Sequence, residues 1–127
     1  MAAPQRPQRL CILIVDDNVD AAPTLGALCE HSGHEVDFAY DGVTGVDAAR
    51  RLRPDVVFLD LALPRMDGYE VARQLRADPV LRHALIIALT GSAGEEERER
   101  ARAAGIDHYL VKPADPAFVE SLLRRKR

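Results

Sequence analysis

The sequence predicts an α/β fold: a single doubly wound (βα)5 domain built on a five-stranded parallel sheet. Three observations predict it. Five short apolar runs recur along the 127 residues, each the length of a strand and each followed by a stretch with helical apolar spacing. Most of these runs are continuous rather than alternating, the pattern of strands covered by helices on both faces. The spacing between runs leaves room for one helix each time, which is the crossover that parallel neighbours require.

Leu10 to Val15 is the first strand. Asp17 or Asn18 can cap the helix that follows, with Leu25, Leu28 and Cys29 as its apolar stripe. Pro23 is tolerable only near a first turn, so that helix should start late or kink slightly, and Ser32-Gly33 should end it. Glu35 to Ala39 alternates, with Val36 and Phe38 on one side, as expected of a strand near an edge. Asp41 can cap a second helix running to about Arg53, with Val43, Val46, Ala49 or Arg50, and Leu52 inward, and Pro54 breaks it. Val56 to Leu59 is the third strand and ends at Asp60. Leu61 to Gly68 reads as a loop punctuated by Pro64 and Asp67-Gly68, and the next helix uses Val71, Ala72 and Leu75 and stops before Pro79. Ala84 to Leu89 is the fourth strand, running into Thr90-Gly91-Ser92. Glu95 to Ala104 is a charge-dense helix whose apolar face is little more than Ala101 and Ala104, with Glu96 and Arg100 at i,i+4. It should be the least firmly docked of the five. Gly105 ends it, and His108 to Val111 is the fifth strand. Asp115-Pro116 opens a last helix with Phe118, Val119, Leu122 and Leu123 inward.

The bulk numbers narrow the function. A composition of 47% hydrophobic and 29% charged residues is that of a globular domain. A net charge of −3 offers no footprint for nucleic acid. No apolar run approaches the roughly 20 residues of a membrane span, so neither nucleic acid nor membrane is expected as a partner. Met1 to Arg9 is rich in Pro and Gln and lacks the apolar core of a signal peptide. The expected organisation is a disordered lead-in over 1–8, one domain over 9–124, and a basic tail over 125–127. Cys11 and Cys29 are expected as two buried thiols, and the cytoplasm as the location.

In parallel sheets of this class, ligands sit beyond the carboxyl ends of the strands, where strand order reverses. Asp16, Asp17, Asp60, Thr90 and Lys112 all fall at such ends. Singly, each has a plain explanation: Asp17 caps a helix, Lys112 is solvated, Thr90 closes a strand. Together they make one acidic pocket. Three carboxylates would raise one another's pKa unless a cation intervened. Oxygen ligands without His or Cys favour Mg²⁺, and Lys112 adds a fixed positive charge. A carboxylate so placed can attack phosphorus, with the cations and the Thr90 hydroxyl holding the added oxygens.

The residues Ile14-Val15-Asp16-Asp17-Asn18, Phe58-Leu59-Asp60 with Leu63-Pro64-Arg65-Met66-Asp67-Gly68, Ala88-Leu89-Thr90-Gly91 and Tyr109-Leu110-Val111-Lys112-Pro113 resemble the receiver domain of two-component response regulators (the CheY-like domains). The likeness runs from about Arg9 to Leu123. It implies the strand order 2-1-3-4-5 with helices on both faces, and a phosphoacceptor domain that catalyses only its own phosphorylation and dephosphorylation. It further implies that Asp60 takes a phosphoryl group from a histidine kinase or a histidine phosphotransfer protein. Asp16, Asp17, Asp60 and the backbone carbonyl of Ala62 would bind Mg²⁺, and Thr90 and Lys112 would contact the phosphoryl group. Tyr109 would turn inward as Thr90 moves, and Lys112-Pro113 would be a cis peptide. Ala62 and Ser92 are smaller than the residues many receivers carry beside the route of attacking water, and Pro23 is unusual in the first helix. "ALTG" and "HYLVKP" look like receivers attached to hybrid sensor kinases.

Two other classes fit less well. An aspartate-nucleophile phosphohydrolase typically needs a second acid at the position of Ala62. A flavin or nucleotide binder needs a Gly/Ser/Thr-rich cradle where Asp16-Asp17-Asn18 stand. A receiver kept only as a protein-binding module would have shed part of the site set, which is complete here. Only Arg124 to Arg127 follow the last apolar stripe, so output is expected through a protein surface near Tyr109 and the Glu95–Ala104 segment. The downstream target is not specified by the sequence.

Overall fold

The computed structural model describes residues 9–20, 22–91 and 94–126. The expectations for residues 1–8, Ser92 and Arg127 lie outside those residues. In chain order the elements are β1 (Cys11–Val15), α1 (Ala22–His31), β2 (Glu35–Ala39), α2 (Gly42–Leu52), β3 (Val56–Asp60), α3 (Gly68–Ala77), β4 (Leu85–Thr90), α4 (Glu95–Ala103), β5 (His108–Val111) and α5 (Pro116–Lys126). Every pairing is parallel and the sheet order is β2-β1-β3-β4-β5. This is the expected doubly wound fold, and each strand lies within one residue of its expected bounds.

The sheet divides the core in two. Leu13, Val15, Val57, Leu59, Ile86 and Ala88 point to the α2–α4 side. Ile12, Ile14, Val56, Phe58, Ile87 and Leu89 point to the α1/α5 side. The alternation of strand side chains makes this division, and the continuous apolar runs result from burying both faces. At the edge, β2 alternates exposed and half-buried residues, with Val36 and Phe38 packed against the α1/α5 core.

The late start expected of α1 is present. Its first residue is Ala22, which puts Pro23 in the first turn, where a missing N–H costs little. Asn18 Oδ1 accepts the Asp20 N–H, so Asn18 shapes the loop before the helix. Asp41 caps α2, accepting the Thr44 N–H at 2.8 Å and the Thr44 hydroxyl at 2.9 Å, and these bonds hold its carboxyl below the ordinary carboxylate range. Asp41→Ala removes this cap, and urea denaturation should show a lower midpoint with an unchanged slope.

Three expectations need correction. Val43 is 49% exposed and Phe118 43% exposed, although both were expected inward. In α2 the buried residues are Gly42, Gly45, Val46, Ala48 and Ala49, and in α5 they are Val119, Leu122 and Leu123. Each outlier sits about 100° around the helix from its buried neighbour, Gly42 or Val119. Cys11 is only half-buried, because it opens β1 at the rim of the sheet, whereas Cys29 is fully buried. Burial pushes the Cys29 thiol up to about 12.

Helix α4 is docked by more than its alanines. Ala101 and Ala104 are buried as expected. Arg100, expected to pair with Glu96, instead lies over the Tyr69 ring at 4.1 Å, and the Tyr69 hydroxyl donates to the Glu97 carbonyl at 3.4 Å. Arg98 lies over the Tyr109 ring at 5.4 Å. Cation–π contacts at such partly exposed positions contribute about 0.5–1 kcal/mol each, comparable with the small apolar area beneath the helix.

Candidate functional site

From β1 the chain crosses to β2 on one side and later returns to β3 on the other, so strand order reverses between β1 and β3. At that point the strand ends diverge from their connections and leave a crevice. Asp16 follows β1 directly and Asp60 is the last residue of β3. Both are buried, at 3% and 5% exposure, while Asp17 is exposed at the rim.

One carboxylate oxygen from each of Asp16, Asp17 and Asp60 lies within 4.8 Å of the other two. Local backbone fixes the two buried acids. Asp16 Oδ1 accepts the Asn18 N–H at 3.0 Å, and Asp60 Oδ1 accepts the Ala62 N–H at 3.0 Å. Their other oxygens face Lys112, whose Nζ donates to Asp16 Oδ2 at 2.9 Å and to Asp60 Oδ2 at 3.3 Å. Lys112 is brought in by β5, and its N–H donates to the Thr90 carbonyl at 2.7 Å. The Lys112–Pro113 peptide bond is cis.

Burial raises the Asp60 pKa above its ordinary value. The Ala62 N–H and the Lys112 charge pull it back, while the Asp16 carboxyl pushes it further up. Burial pulls Lys112 down, but the hydrogen bond to Asp16 and the charges of Asp60 and Asp16 outweigh it, so the ammonium is held above its ordinary value. Lys112 is therefore charged at neutral pH. One ammonium against three carboxylates leaves an excess of negative charge facing an all-oxygen donor set. Mg²⁺ or another hard divalent cation fits that set.

Thr90 ends β4, one residue beyond Leu89, which pairs with Asp60 across the sheet. Tyr109 is half-buried on β5 beside Ala88, packed against the α2–α4 core with Arg98 over its ring. The carboxylates and Lys112 thus meet directly, while Thr90 and Tyr109 flank them along β4 and β5.

Two supporting residues carry more than the sequence reading gave them. Asp67, read as loop punctuation, caps α3 by accepting the Glu70 N–H at 2.9 Å. Gly68 brings that cap against the backbone under the site, and a Cβ there would lie 2.5 Å from the Asp60 carbonyl oxygen. The S/T/D/N-x-x-E spacing of Asp67 and Glu70 was the available signal for the cap.

Comparison with known proteins settles the family. Residues 12–124 match the response regulator receiver domain family. The chain belongs to that family. The receiver is 37% identical over 112 residues to the polar-differentiation response regulator DivK of Brucella anthropi, covering 87% of this chain and 91% of that protein. Among solved structures, it resembles the receiver domain of a sensor histidine kinase from Pseudomonas aeruginosa, which has a magnesium ion coordinated in its active-site cleft. That match has a TM-score of 0.85 and 36% identity, covering 93% of this chain and 97% of the other. The chemotaxis protein CheY4 of Vibrio cholerae superposes with a TM-score of 0.87 at 28% identity, covering 94% of the receiver and all of CheY4. The receiver is thus a two-component signalling domain of CheY-like fold with an acidic pocket. Among its described residues, no helix is long and apolar enough to cross a membrane.

Proposed function

We propose that Asp60 is the phosphoacceptor, taking a phosphoryl group from a phosphohistidine on a histidine kinase or histidine phosphotransfer protein. The observation that carries this reading is the Lys112 ammonium bridging Asp16 and Asp60 in a buried carboxylate cluster at the strand-order reversal. An Asp60 carboxylate oxygen attacks phosphorus, a P–O bond forms as the P–N bond breaks, and the electron pair leaves on the imidazole nitrogen. The product is an acyl phosphate. Lys112 stays within reach of the new phosphoryl oxygens, and Thr90 at the end of β4 can donate its hydroxyl to another. Asp16, Asp17, Asp60 and the Ala62 carbonyl would hold Mg²⁺. When bound, the ion supplies positive charge against the phosphoryl oxygens. The magnesium in the P. aeruginosa receiver supports this choice of ion.

We take 9–124 as the receiver domain. Its output is a change at the Thr90–Tyr109 side, read by a protein partner rather than by nucleic acid or membrane. We place the site in the cytoplasm, a reading supported by Cys11 and Cys29 both standing as thiols. It is a regulatory phosphoacceptor, acting only on its own phosphorylation and dephosphorylation.

The test is phosphotransfer from a radiolabelled histidine kinase or phosphotransfer domain. Label should move to this chain with Mg²⁺ present and stay on the donor in excess chelator; transfer that ignores chelation would count against the site. Lys112→Ala should slow labelling about 10²-fold, the typical loss when one fixed stabiliser of developing charge is removed. It should also break the link to Tyr109. An unchanged phosphorylation-induced shift of Tyr109 resonances in that variant would contradict the assigned role.

A further inference from the structure

At the amino ends of the strands, opposite the acidic pocket, lies a second cavity of about 560 Å³. Its size is within the range of small-molecule sites, but its wall is polar. Arg76, Arg82, Arg102 and Lys126 line it against one carboxylate, Asp107, together with His83. This is a positive pole on a chain whose net charge is −3.

The four cations are held differently. Arg76 is structural: it donates to the carbonyls of Gly105, Arg82 and Ala84, and its Nη2 lies 2.5 Å from Asp107 Oδ2. That pair neutralises Asp107 and makes a rigid wall. The other three come from separate elements: Arg82 from the turn before β4, Arg102 from α4 and Lys126 from the last turn of α5. Arg102 uses one guanidinium nitrogen on Glu99, in an exposed pair that contributes little. Lys126 Nζ donates to the His83 carbonyl at 2.8 Å, which anchors the ammonium at the rim while leaving it further N–H donors. Lys126 belongs to the basic run at the C-terminus, which phosphoacceptor chemistry leaves unused.

We propose that this cavity binds a small oligophosphate, a molecule with two or more linked phosphate groups. Two guanidinium forks and an ammonium, each from a separate element, match several anionic oxygens presented together. The wall has His83 but no Phe, Tyr or Trp among its described residues, so recognition rests mainly on the phosphates. Bound there, the ligand would tie α4 to α5.

The test titrates metal-free protein in EDTA with inorganic tripolyphosphate and, separately, with a nucleoside triphosphate. Chelation keeps either ligand from bridging to the acidic pocket through a metal. Calorimetry should show saturable binding that weakens steeply with salt, and amide shifts should concentrate at 82–85, 102–107 and 126. The triple variant Arg82→Gln, Arg102→Gln, Lys126→Gln should weaken binding about tenfold or more while leaving labelling of the acidic pocket unchanged. Equal affinities would assign the site to phosphates alone; a tighter nucleoside triphosphate would name a nucleotide. The proposal is overturned by no saturable binding, by shifts centred elsewhere, by undiminished affinity in the variant, or by binding of an oligonucleotide but not tripolyphosphate. Should the triple variant fail to fold, the wild-type shift map and Arg82→Gln alone decide in the same terms.

Discussion

Asp60→Asn should lose detectable labelling by a small phosphodonor with Mg²⁺ and, in metal-free buffer, should melt higher than the wild type. The first effect follows because an amide is no nucleophile toward phosphorus at neutral pH. The second follows from the burial of Asp60 beside Asp16 with Lys112 shared between them. Burial raises the Asp60 pKa in the folded chain, so the folded state holds this proton more tightly than the unfolded state does. Stability then falls as pH rises from the ordinary carboxylate value of about 4 through the raised folded value. Asparagine removes that loss and keeps a side-chain oxygen for the Ala62 N–H. Calorimetric melts should therefore show little difference between the proteins below that window. At pH 7, above that window, the variant should melt measurably higher than the wild type. A variant that melts lower at pH 7 would mean that the Lys112 pair outweighs the cost of burying the charge.

Gly68→Ala should reach the same site from below. The added Cβ would lie 2.5 Å from the Asp60 carbonyl oxygen and 2.7 Å from the Leu61 Cα, both backbone atoms that no rotamer change can move aside. The chain between β3 and α3 must shift, and overpacking of this kind costs about 1–3 kcal/mol. Because the displaced backbone carries Asp60 and the Ala62 N–H, labelling should slow as well. Denaturation together with the initial labelling rate checks both. Wild-type values for each would show that the loop absorbs a methyl group freely.

Much of this was legible in the sequence because it depends on local periodicity. Continuous apolar runs such as Ile12–Val15 and Val56–Leu59 mark strands covered on both faces, and acids that end such runs must sit at one end of a parallel sheet. Helix faces were less legible. Val43 lies one position after buried Gly42 and Phe118 one position before buried Val119, and only tertiary packing selects which neighbour turns inward. Contacts between distant elements were not legible at all. Asp55 and Asp107 accept the N–H groups of Cys11 and Ile86, and His34 Nδ1 accepts that of Leu10, satisfying backbone donors at the far ends of β1 and β4. Nothing in the spacing of an aspartate before a strand distinguishes these from solvated turn residues. The Arg98 and Arg100 contacts with tyrosines were hidden for the same reason, since i,i+4 spacing gave Arg100 a nearer partner in Glu96.

Locating the phosphoryl group on the labelled protein tests the central claim most directly. The chain is labelled with a small phosphodonor and Mg²⁺, the acyl phosphate is reduced with borohydride, and the peptides are mapped by mass. The site described here predicts a single modified residue, Asp60, converted to homoserine. Modification at Asp16 or Asp17, or a stable label on a histidine, would contradict it.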